Sequence, residues 1–309
     1  MNYVVFDLEW NQADPSKEEA RESLPFEIIE IGAVKLDENM KKIGTFHRII
    51  RPVVYPVLFS HTREIVNLTD EDLANGTDFK SACREFLSWS AEGGEYRFCT
   101  WGVLDLAEFQ MNMAWHKIKN DFPRPLLYIN VQQIFSISRN EESEKAYALE
   151  TATELLSIPD IGEYHSALTD AGYTALIMQK LDKELLDLYP AADQYHYPLK
   201  TEEEIYIKYP DHNIYMTRAF KSREALKVAE LHLPIKCSIC GKRARRIIPW
   251  YTNNSRSYFT IGSCRKDGML KVKRAIKNPD GRNFYEIQTV RKIDKDKADE
   301  IIKHHSHRR

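Results

Sequence analysis

The sequence lacks any run of about 18 apolar residues, the length that a transmembrane helix needs. Its first residues, MNYVVFD, also lack the positively charged start that is typical of a secretory signal. These two absences argue against the membrane-spanning and secreted classes. We therefore expect a cytoplasmic location and no membrane partner.

Cysteine is scarce, with five residues in 309: Cys83, Cys99, Cys237, Cys240 and Cys264. Secreted domains that depend on disulfides carry more cysteines in shorter chains, usually in even numbers. We therefore predict that these cysteines do not form a disulfide framework. Internal repeats and low-complexity segments are also absent, and 43% hydrophobic with 29% charged residues is an ordinary globular composition.

The small net charge of −2 hides a strong asymmetry along the chain. Residues 201–309 hold 25 Lys and Arg against 13 Asp and Glu, a net of +12, whereas residues 1–200 hold 19 against 33, a net of −14. A basic half favours contact with a polyanion, and an acidic half is consistent with a metal site. Two separately solvated surfaces are the plainer interpretation.

The length predicts two domains, or one large one. Apolar and β-branched runs predict strands at 3–6, 26–36, 45–51, 96–101 and 126–130, and helical spacing predicts helices at 78–89, 104–116, 146–156 and 167–181. This alternation is typical of an α/β domain of about five strands. We place it at residues 1–190.

The rest of the chain has a different texture. Residues 191–234 carry three prolines and no clear core pattern, so we predict a linker with a helical piece near 222–231. Short β-like runs separated by Gly, Asn and Pro predict a small β-rich module at 235–293. We expect residues 294–309 to form a charged tail or a frayed helix.

Asp7 and Glu9 lie at the end of the first predicted strand. Because side chains alternate along a strand, both carboxylates point to the same face, about 7 Å apart. Such a pair repels unless a positive charge lies between its members, and Mg²⁺ is commonly held by one or two carboxylates together with substrate phosphate. Asp-x-Glu alone is a weak signal, because surface pairs of this kind are common.

Two later segments add acids and a histidine. Asp105 follows WGVL at a predicted strand-to-helix junction, and His165 lies five residues before Asp170, at or before the start of a helix. Taken singly, Asp105 suits a helix N-terminus, His165 a hydrogen-bonded loop and Asp170 a helix surface.

Together, FDLE, EIIEIGAV, WGVLD and HSALTDA resemble the DEDDh family of 3′→5′ exonucleases, the superfamily of the DNA polymerase III epsilon subunit. The resemblance covers about residues 1–185. It implies an RNase H-like fold, a mixed five-stranded sheet flanked by helices. It also implies that Asp7, Glu9, Asp105 and Asp170 bind two Mg²⁺ or Mn²⁺ ions and that His165 is the general base. Two-metal catalysis of phosphodiester hydrolysis fits this set, and histidine is a residue type suited to proton transfer at neutral pH.

The same resemblance implies a substrate loop at residues 65–69, where Val66, Asn67 and Leu68 would contact the terminal nucleotide. The family often has Thr-Gly where this chain has Val66-Asn67. Since Asn tolerates the left-handed conformation, we expect the turn to survive. Trp10 is either a stacking residue for a base or a core aromatic. We expect Glu30 to be structural.

Cys237-Ser-Ile-Cys240-Gly is a Cys-x2-Cys knuckle, and Cys264 follows 24 residues later. This arrangement resembles exonuclease-family tails that carry C-x2-C followed by C-x2-H-G. In this chain, Asp267 stands where those tails have the histidine. We predict one structural Zn²⁺ on Cys237, Cys240, Cys264 and Asp267 in a zinc-ribbon-like module. His232 or solvent is an alternative fourth ligand, and a metal-free module is the alternative to the whole site.

Basic and aromatic residues interleave around the knuckle. Such mixtures are typical of single-strand nucleic-acid binders, although the aromatics are equally suited to a small core. The members are Lys242, Arg243, Arg245, Arg246, Arg256, Arg265, Lys266, Lys271, Lys273 and Arg274, with Trp250, Tyr251, Tyr258 and Phe259.

We therefore predict a metal-dependent 3′→5′ exonuclease that acts on single-stranded RNA or DNA with a free 3′ end, with RNA slightly favoured. Two alternatives remain open: a non-catalytic nucleic-acid-binding protein on the same scaffold, and a DNA proofreading or repair exonuclease. A two-carboxylate glycosidase would explain neither the His165–Asp170 pair nor the basic module.

Overall fold

The computed structural model describes the chain except residues 17–20, 22, 140–145, 231–232, 255–256, 280 and 307–309. The chain forms two compact units, Met1–Asp193 and Gln194–Arg309, which are described separately. Within the described ranges, no helix combines the length and the apolar character needed to cross a bilayer.

The first unit is built on one mixed sheet. Its strands are β1 (Asn2–Gln12), β2 (Phe26–Leu36), β3 (Lys42–Ile49), β4 (Tyr96–Thr100), β5 (Leu127–Asn130) and β6 (Ala191–Ala192). They lie in the order β3-β2-β1-β4-β5-β6, with β1, β4 and β5 parallel and the other pairs antiparallel. The predicted mixed sheet is confirmed. The sixth strand was not predicted, because its two alanines carry no strand signal.

Helices flank this sheet. They are α1 (Ser60–Ile65), α2 (Asp70–Ala74), α3 (Phe79–Ala91), α4 (Leu104–Trp115), α5 (Val131–Ser138), α6 (Leu149–Leu155), α7 (Ala167–Lys180) and α8 (Lys183–Leu188). Helix α3 begins where the sequence predicts, because the Asp78 side chain accepts a hydrogen bond from Ser81 N at 3.1 Å and caps the N-terminus.

Phenylalanines fill the core between the sheet and helices α3 and α4. Phe6 lies 5.2 Å from Phe98, 5.5 Å from Phe86 and 6.2 Å from Phe109, measured between ring centroids. All four rings are buried. Because these buried rings pack tightly around Phe6, β1 is held firmly in the core. The residues that follow Phe6 on this strand therefore have a rigid base.

The second unit is an antiparallel sheet of seven strands. They are β7 (Ile205–Lys208), β8 (His212–Met216), β9 (Arg245–Arg246), β10 (Tyr251–Asn254), β11 (Ser257–Cys264), β12 (Gly268–Lys277) and β13 (Tyr285–Lys292). The main order is β10-β11-β12-β13-β8-β7, and β9 pairs with β11 on the same edge as β10, further along the strand. The predicted β-rich character of this region is confirmed.

Part of the segment predicted as a linker, strands β7 and β8, belongs to this sheet instead. Strand β8 pairs with β13, and β7 pairs with β8 through four residue pairs. The sequence did not indicate these strands, because they are short and because β8 pairs with β13 some 70 residues later, which no local pattern reveals. The helical piece is present as α9 (Arg223–Glu230).

The residues predicted as a charged tail or a frayed helix include a helix, α10 (Lys295–Ser306), which is not a free tail. Ala298, Ile301 and Ile302 follow the spacing of one helix face and pack with Ile248 and Ile261 in an apolar cluster of the sheet. The many charges of this segment hid the short apolar stripe.

Candidate active site

Four acidic side chains come from three elements of the first unit. Asp7 and Glu9 lie on β1, while Asp105 and Asp170 lie in the first turns of α4 and α7. Asp105 Oδ1 accepts a hydrogen bond from Leu8 N at 3.2 Å, which ties α4 to β1 between the two strand acids. The structure thus brings together the four acids that the sequence singled out.

Helix α7 reaches this site because Gly32 has no side chain. Gly32 lies opposite Asp7 in the β1–β2 ladder. A Cβ at this position would lie 2.1 Å from the backbone carbon of Ala167 and 2.1 Å from Leu168 N, closer than any real contact. The glycine therefore allows the start of α7 to lie directly on the sheet, with Asp170 one turn further along.

Glu30, opposite Glu9 on β2, fixes the same helix end. Its carboxylate accepts a hydrogen bond from Ala167 N at 3.2 Å and lies 3.4 Å from Ser166 Oγ. His47 Nε2 lies 2.7 Å from Glu30 Oε1. A carboxylate at a helix N-terminus is stabilised by the free N–H groups there, so Glu30 positions α7 as a structural residue.

The concentrated acids raise one another's pKa. Burial, and then the charges of Asp105 and Asp170, raise the pKa of Asp7 well above its ordinary value. Burial and the neighbouring carboxylates raise the pKa of Glu9 to about 8. Burial is also the main cause that raises the pKa of Asp105 and of Asp170 to about 7. A site of this kind favours positive charge between its oxygens.

One oxygen of Asp170 is directly available for a cation. Oδ2 accepts a hydrogen bond from His165 N at 3.1 Å, whereas Oδ1 is buried and has no hydrogen-bond partner among the described residues. An orphaned carboxylate oxygen in a group of raised-pKa carboxyls fits a hard divalent cation, which prefers oxygen ligands. The residues present therefore fit the divalent-cation site that the resemblance implies.

His165 stands at the edge of this group. It is exposed, and one nitrogen lies within 4.8 Å of the nearest carboxylate oxygens of Glu9 and Asp170. Its backbone is left-handed, with φ 63°. Just before it, Tyr164 stacks on Tyr173 at 4.6 Å, and the Tyr173 hydroxyl donates to the oxygens of Asp160 and Gly162. These contacts hold the segment that leads into His165.

Glu108 is an acid that the sequence analysis did not single out. It lies one turn after Asp105 on α4, is 6% exposed, and its Oε2 has no hydrogen-bond partner within the described part of the chain. Burial raises its pKa to about 7. The i, i+3 spacing from Asp105 was the only sequence signal, and that spacing is common on helices.

The predicted substrate contacts lie in different environments. Val66 is 6% exposed and packs with Ile29, Leu58 and Leu73, so its side chain belongs to the core and not to a substrate surface. Leu68 is half-buried against the same cluster. The sequence could not reveal this, because an apolar residue in a loop is suited to both places.

Asn67 and Trp10 also differ from the simplest expectation. Asn67 is not left-handed; it is exposed, and its Nδ2 donates to Glu163 Oε2 at 2.9 Å, which ties this loop to the segment before His165. Trp10 is half-buried, with its ring 5.6 Å from Phe26 and packed against the main core. Its environment is that of a core aromatic.

A second cluster lies in the other unit. One sulfur each of Cys237, Cys240 and Cys264 and one oxygen of Asp267 all lie within 4.8 Å of one another. Asp267 Oδ2 lies 3.2 Å from Cys237 Sγ and 3.4 Å from Cys264 Sγ, and the Cys240 and Cys264 sulfurs are 3.5 Å apart. His232, the alternative ligand, lies outside the described residues.

Comparisons with solved structures show the fold of the first unit. The nuclease domain of 3′hExo, a DEDDh family member bound to rAMP, is 18% identical with a TM-score of 0.53 and covers 62% of this chain and 97% of its own. A 3′-exonuclease in a structure on 3′-end specific recognition of the histone mRNA stem-loop is 16% identical with a TM-score of 0.52, over 64% of this chain and 93% of its own. A full-length 3′-exonuclease is 18% identical with a TM-score of 0.51, over 61% and 84%.

No curated protein sequence matches the chain. The family model RNase_T, described as exonuclease, matches residues 4–178, which is more than half of the chain and includes all four acids and the histidine. The chain therefore belongs to the RNase_T exonuclease family and has the RNase H-like fold of its DEDDh members.

Proposed function

We propose that this nuclease is a 3′→5′ exonuclease that removes nucleotides from the 3′ end of single-stranded nucleic acid. The observation that carries the proposal is the convergence of Asp7, Glu9, Asp105 and Asp170 with an exposed His165 beside the second half of β1. A phosphodiester is a charged and unreactive bond, and this set offers both cation ligands and a proton acceptor for its hydrolysis.

Asp7, Glu9, Asp105 and Asp170 are the residues that would hold two divalent cations, Mg²⁺ or Mn²⁺. Such ions neutralise the charge on the attacking and leaving oxygens of the phosphodiester. The protein's own contribution is a fixed frame: β1 holds Asp7 and Glu9, and the first turns of α4 and α7 hold the other two acids.

His165 is the general base in this proposal. Its imidazole is exposed beside the carboxylates of Glu9 and Asp170, where it can deprotonate an attacking water while His165 N stays bonded to Asp170. The loop that carries Asn67 lies beside this turn through the Asn67–Glu163 hydrogen bond. That loop is suited to contact the terminal nucleotide through its exposed polar groups.

RNA is the preferred substrate in this proposal. Two of the structures with the same fold concern RNA: one holds rAMP, and the other concerns a histone mRNA stem-loop. DNA proofreading or repair is the alternative use of the same site. A non-catalytic binding role is less well supported, because all five residues of the set are intact.

Blocking the 3′ end is expected to slow digestion strongly. The proposal requires a free 3′ terminus, so a single-stranded RNA with a 3′-phosphate should be degraded far more slowly than the same RNA with a 3′-hydroxyl, measured by gel at a fixed Mg²⁺ concentration. A circular single strand, which has no terminus, serves as the matched control and should resist entirely. Cleavage of the circle would reveal an endonuclease.

The knuckle cluster is proposed to hold one structural zinc. Tetrahedral zinc with sulfur bonds near 2.3 Å places two sulfurs about 3.8 Å apart, close to the 3.5 Å between Cys240 and Cys264. Burial raises the pKa of Cys237 to about 12, so a cation is needed to keep that sulfur as a thiolate. Asp267 completes a set of four ligands in this proposal.

Purified protein, prepared without chelator, is expected to contain about one zinc per chain by elemental analysis. Cys240→Ser should lose it, because serine is a poor zinc ligand and the remaining three groups leave one tetrahedral position open. Cys83→Ser, which alters a buried cysteine of the first unit, is the control and should retain zinc. Zinc-free parent protein, or unchanged zinc in Cys240→Ser, would refute the assignment.

A further inference from the structure

The second unit contains a cleft that the nuclease site does not use. It has a volume of about 740 Å³, within the range of small-ligand sites, and lies between the segment around Pro234 and the edge strand β9. Among the described residues, its lining includes Trp250 and four arginines, Arg243, Arg245, Arg246 and Arg274, but no acid. A cleft with this lining selects for an anion.

Three of these arginines are free to bind a ligand. Arg243, Arg245 and Arg246 are exposed, and none of them makes an ion pair or side-chain hydrogen bond with a described residue. Together they place three uncompensated positive charges on the lining of this cleft. Guanidinium pairs well with phosphate, since its planar fork matches two phosphate oxygens.

The fourth arginine has a different role. Arg274 is 5% exposed, and its Nε lies 3.2 Å from Glu286 Oε1 and 3.1 Å from Gln288 Oε1. Its guanidinium carbon lies 4.3 Å from the centre of the Trp250 ring. Arg274 is thus neutralised and locked, and it holds the Trp250 ring in place at the wall of the cleft.

The knuckle supports the same cleft. Cys237 N donates to Lys242 O at 2.8 Å, and Ala244 N donates to Ile235 O at 2.8 Å, so the two arms of the knuckle form a tight turn that leads into β9. Because Cys237 and Cys240 lie inside this turn, a zinc ion there would fix the strand that carries the free arginines. The cysteine cluster and the cleft are therefore connected through the backbone of the same turn.

We infer that this cleft binds a short stretch of single-stranded nucleic acid, with Arg243, Arg245 and Arg246 on successive phosphates and Trp250 stacked against a base. Aromatic rings and cations together are the recurring way to hold a strand without reading its sequence. The inference rests on the proposed function for the identity of the strand.

The test is equilibrium binding by the full chain, without added divalent ions so that the strand is not degraded. The probes are fluorescently labelled 20-nucleotide uridine RNA and thymidine DNA, read by anisotropy. Arg245→Gln with Arg246→Gln should weaken binding about tenfold near 0.15 M salt and lower the slope of log affinity against log salt by about 1.4, since each phosphate contact on a single strand contributes about 0.7.

Lys295→Gln with Lys297→Gln removes two exposed charges from the same unit outside the cleft and should change binding little. Trp250→Phe tests the base contact: strand binding should quench the parent's tryptophan fluorescence, and the variant should lose part of that quenching. Weaker binding of RNA, DNA or both by the arginine variant supports the cleft and shows which strand it takes.

Equal affinity and equal salt slope in parent and arginine variant, for both strands, would overturn the inference. So would a loss in the lysine control as large as that in the arginine variant, because that result would mean charge alone is responsible. Hydrolysis is measured separately with Mg²⁺. If the arginine substitutions weaken binding but no hydrolysis occurs, the exonuclease proposal is refuted and the binding role of the cleft stands. If hydrolysis occurs but the substitutions do not change binding, the binding role of the cleft is refuted and the exonuclease proposal stands.

Discussion

Asp7→Asn is expected to abolish nuclease activity while the protein remains folded. Asp7 lies among the other three acids, and their charges raise its pKa together with burial. An amide keeps the shape of the side chain but removes one negative charge from the middle of the set, together with one oxygen that the proposal assigns to the cations. The measurement is the rate of digestion of a single-stranded RNA over a range of Mg²⁺ or Mn²⁺ concentrations.

Stability distinguishes this loss from unfolding. Folding raises the Asp7 pKa, so its ionised form is disfavoured in the folded chain; the resulting penalty is absent below the unfolded-state pKa and grows as pH rises toward the folded-state value. At pH 8 without metal, Asp7→Asn should therefore melt at the same temperature as the parent or higher. Asp121→Asn, at a side chain that is 72% exposed, is the matched control and should keep full activity. Parent-like digestion by Asp7→Asn would contradict the assignment.

His165→Asn is expected to lower kcat by about 10²–10⁴-fold, the usual loss when a general base is removed. Asparagine is chosen because the backbone at this position is left-handed, with φ 63°, and asparagine tolerates that conformation better than alanine does. The turn should therefore keep its shape, and KM should change little. Single-turnover kinetics on a short RNA separate the two parameters.

A merely structural histidine would behave differently. His165→Gly also suits the left-handed backbone and leaves space for free imidazole, which should restore part of the rate if the ring acts as a base. Divalent-ion binding, followed as the rise in melting temperature with Mn²⁺, should be retained in both variants. Unchanged kinetics in His165→Asn, or no rescue of His165→Gly by imidazole, would make the residue structural.

The acids of the site were predictable because short stretches of sequence around each of them indicate its position on a strand or at a helix start. Asp7 and Glu9 share a strand face by alternation, and Asp105 and Asp170 each lie in the first turn of a helix. Each local pattern was weak alone. Their order along the chain, rather than any single residue, carried the prediction of the fold and of the site.

What the sequence could not predict depends on contacts between distant residues. Gly32 is notable only because the backbone of Ala167, 135 positions later, lies against it. Glu30 acts on the same helix end, and the hydrogen bond between Asn67 and Glu163 joins two loops with no local signal for each other. The short strands β7 and β8 likewise need β13, and without that partner their sequence is typical of a linker.

The most direct test of the account is the product pattern of a single-stranded RNA labelled at its 5′ end, with a matched DNA strand beside it, in the presence of Mg²⁺. The account predicts a ladder of labelled strands that shorten stepwise from the 3′ end, which vanishes in Asp7→Asn. Release of the labelled 5′ nucleotide as the first product, or internal fragments without a ladder, would contradict it.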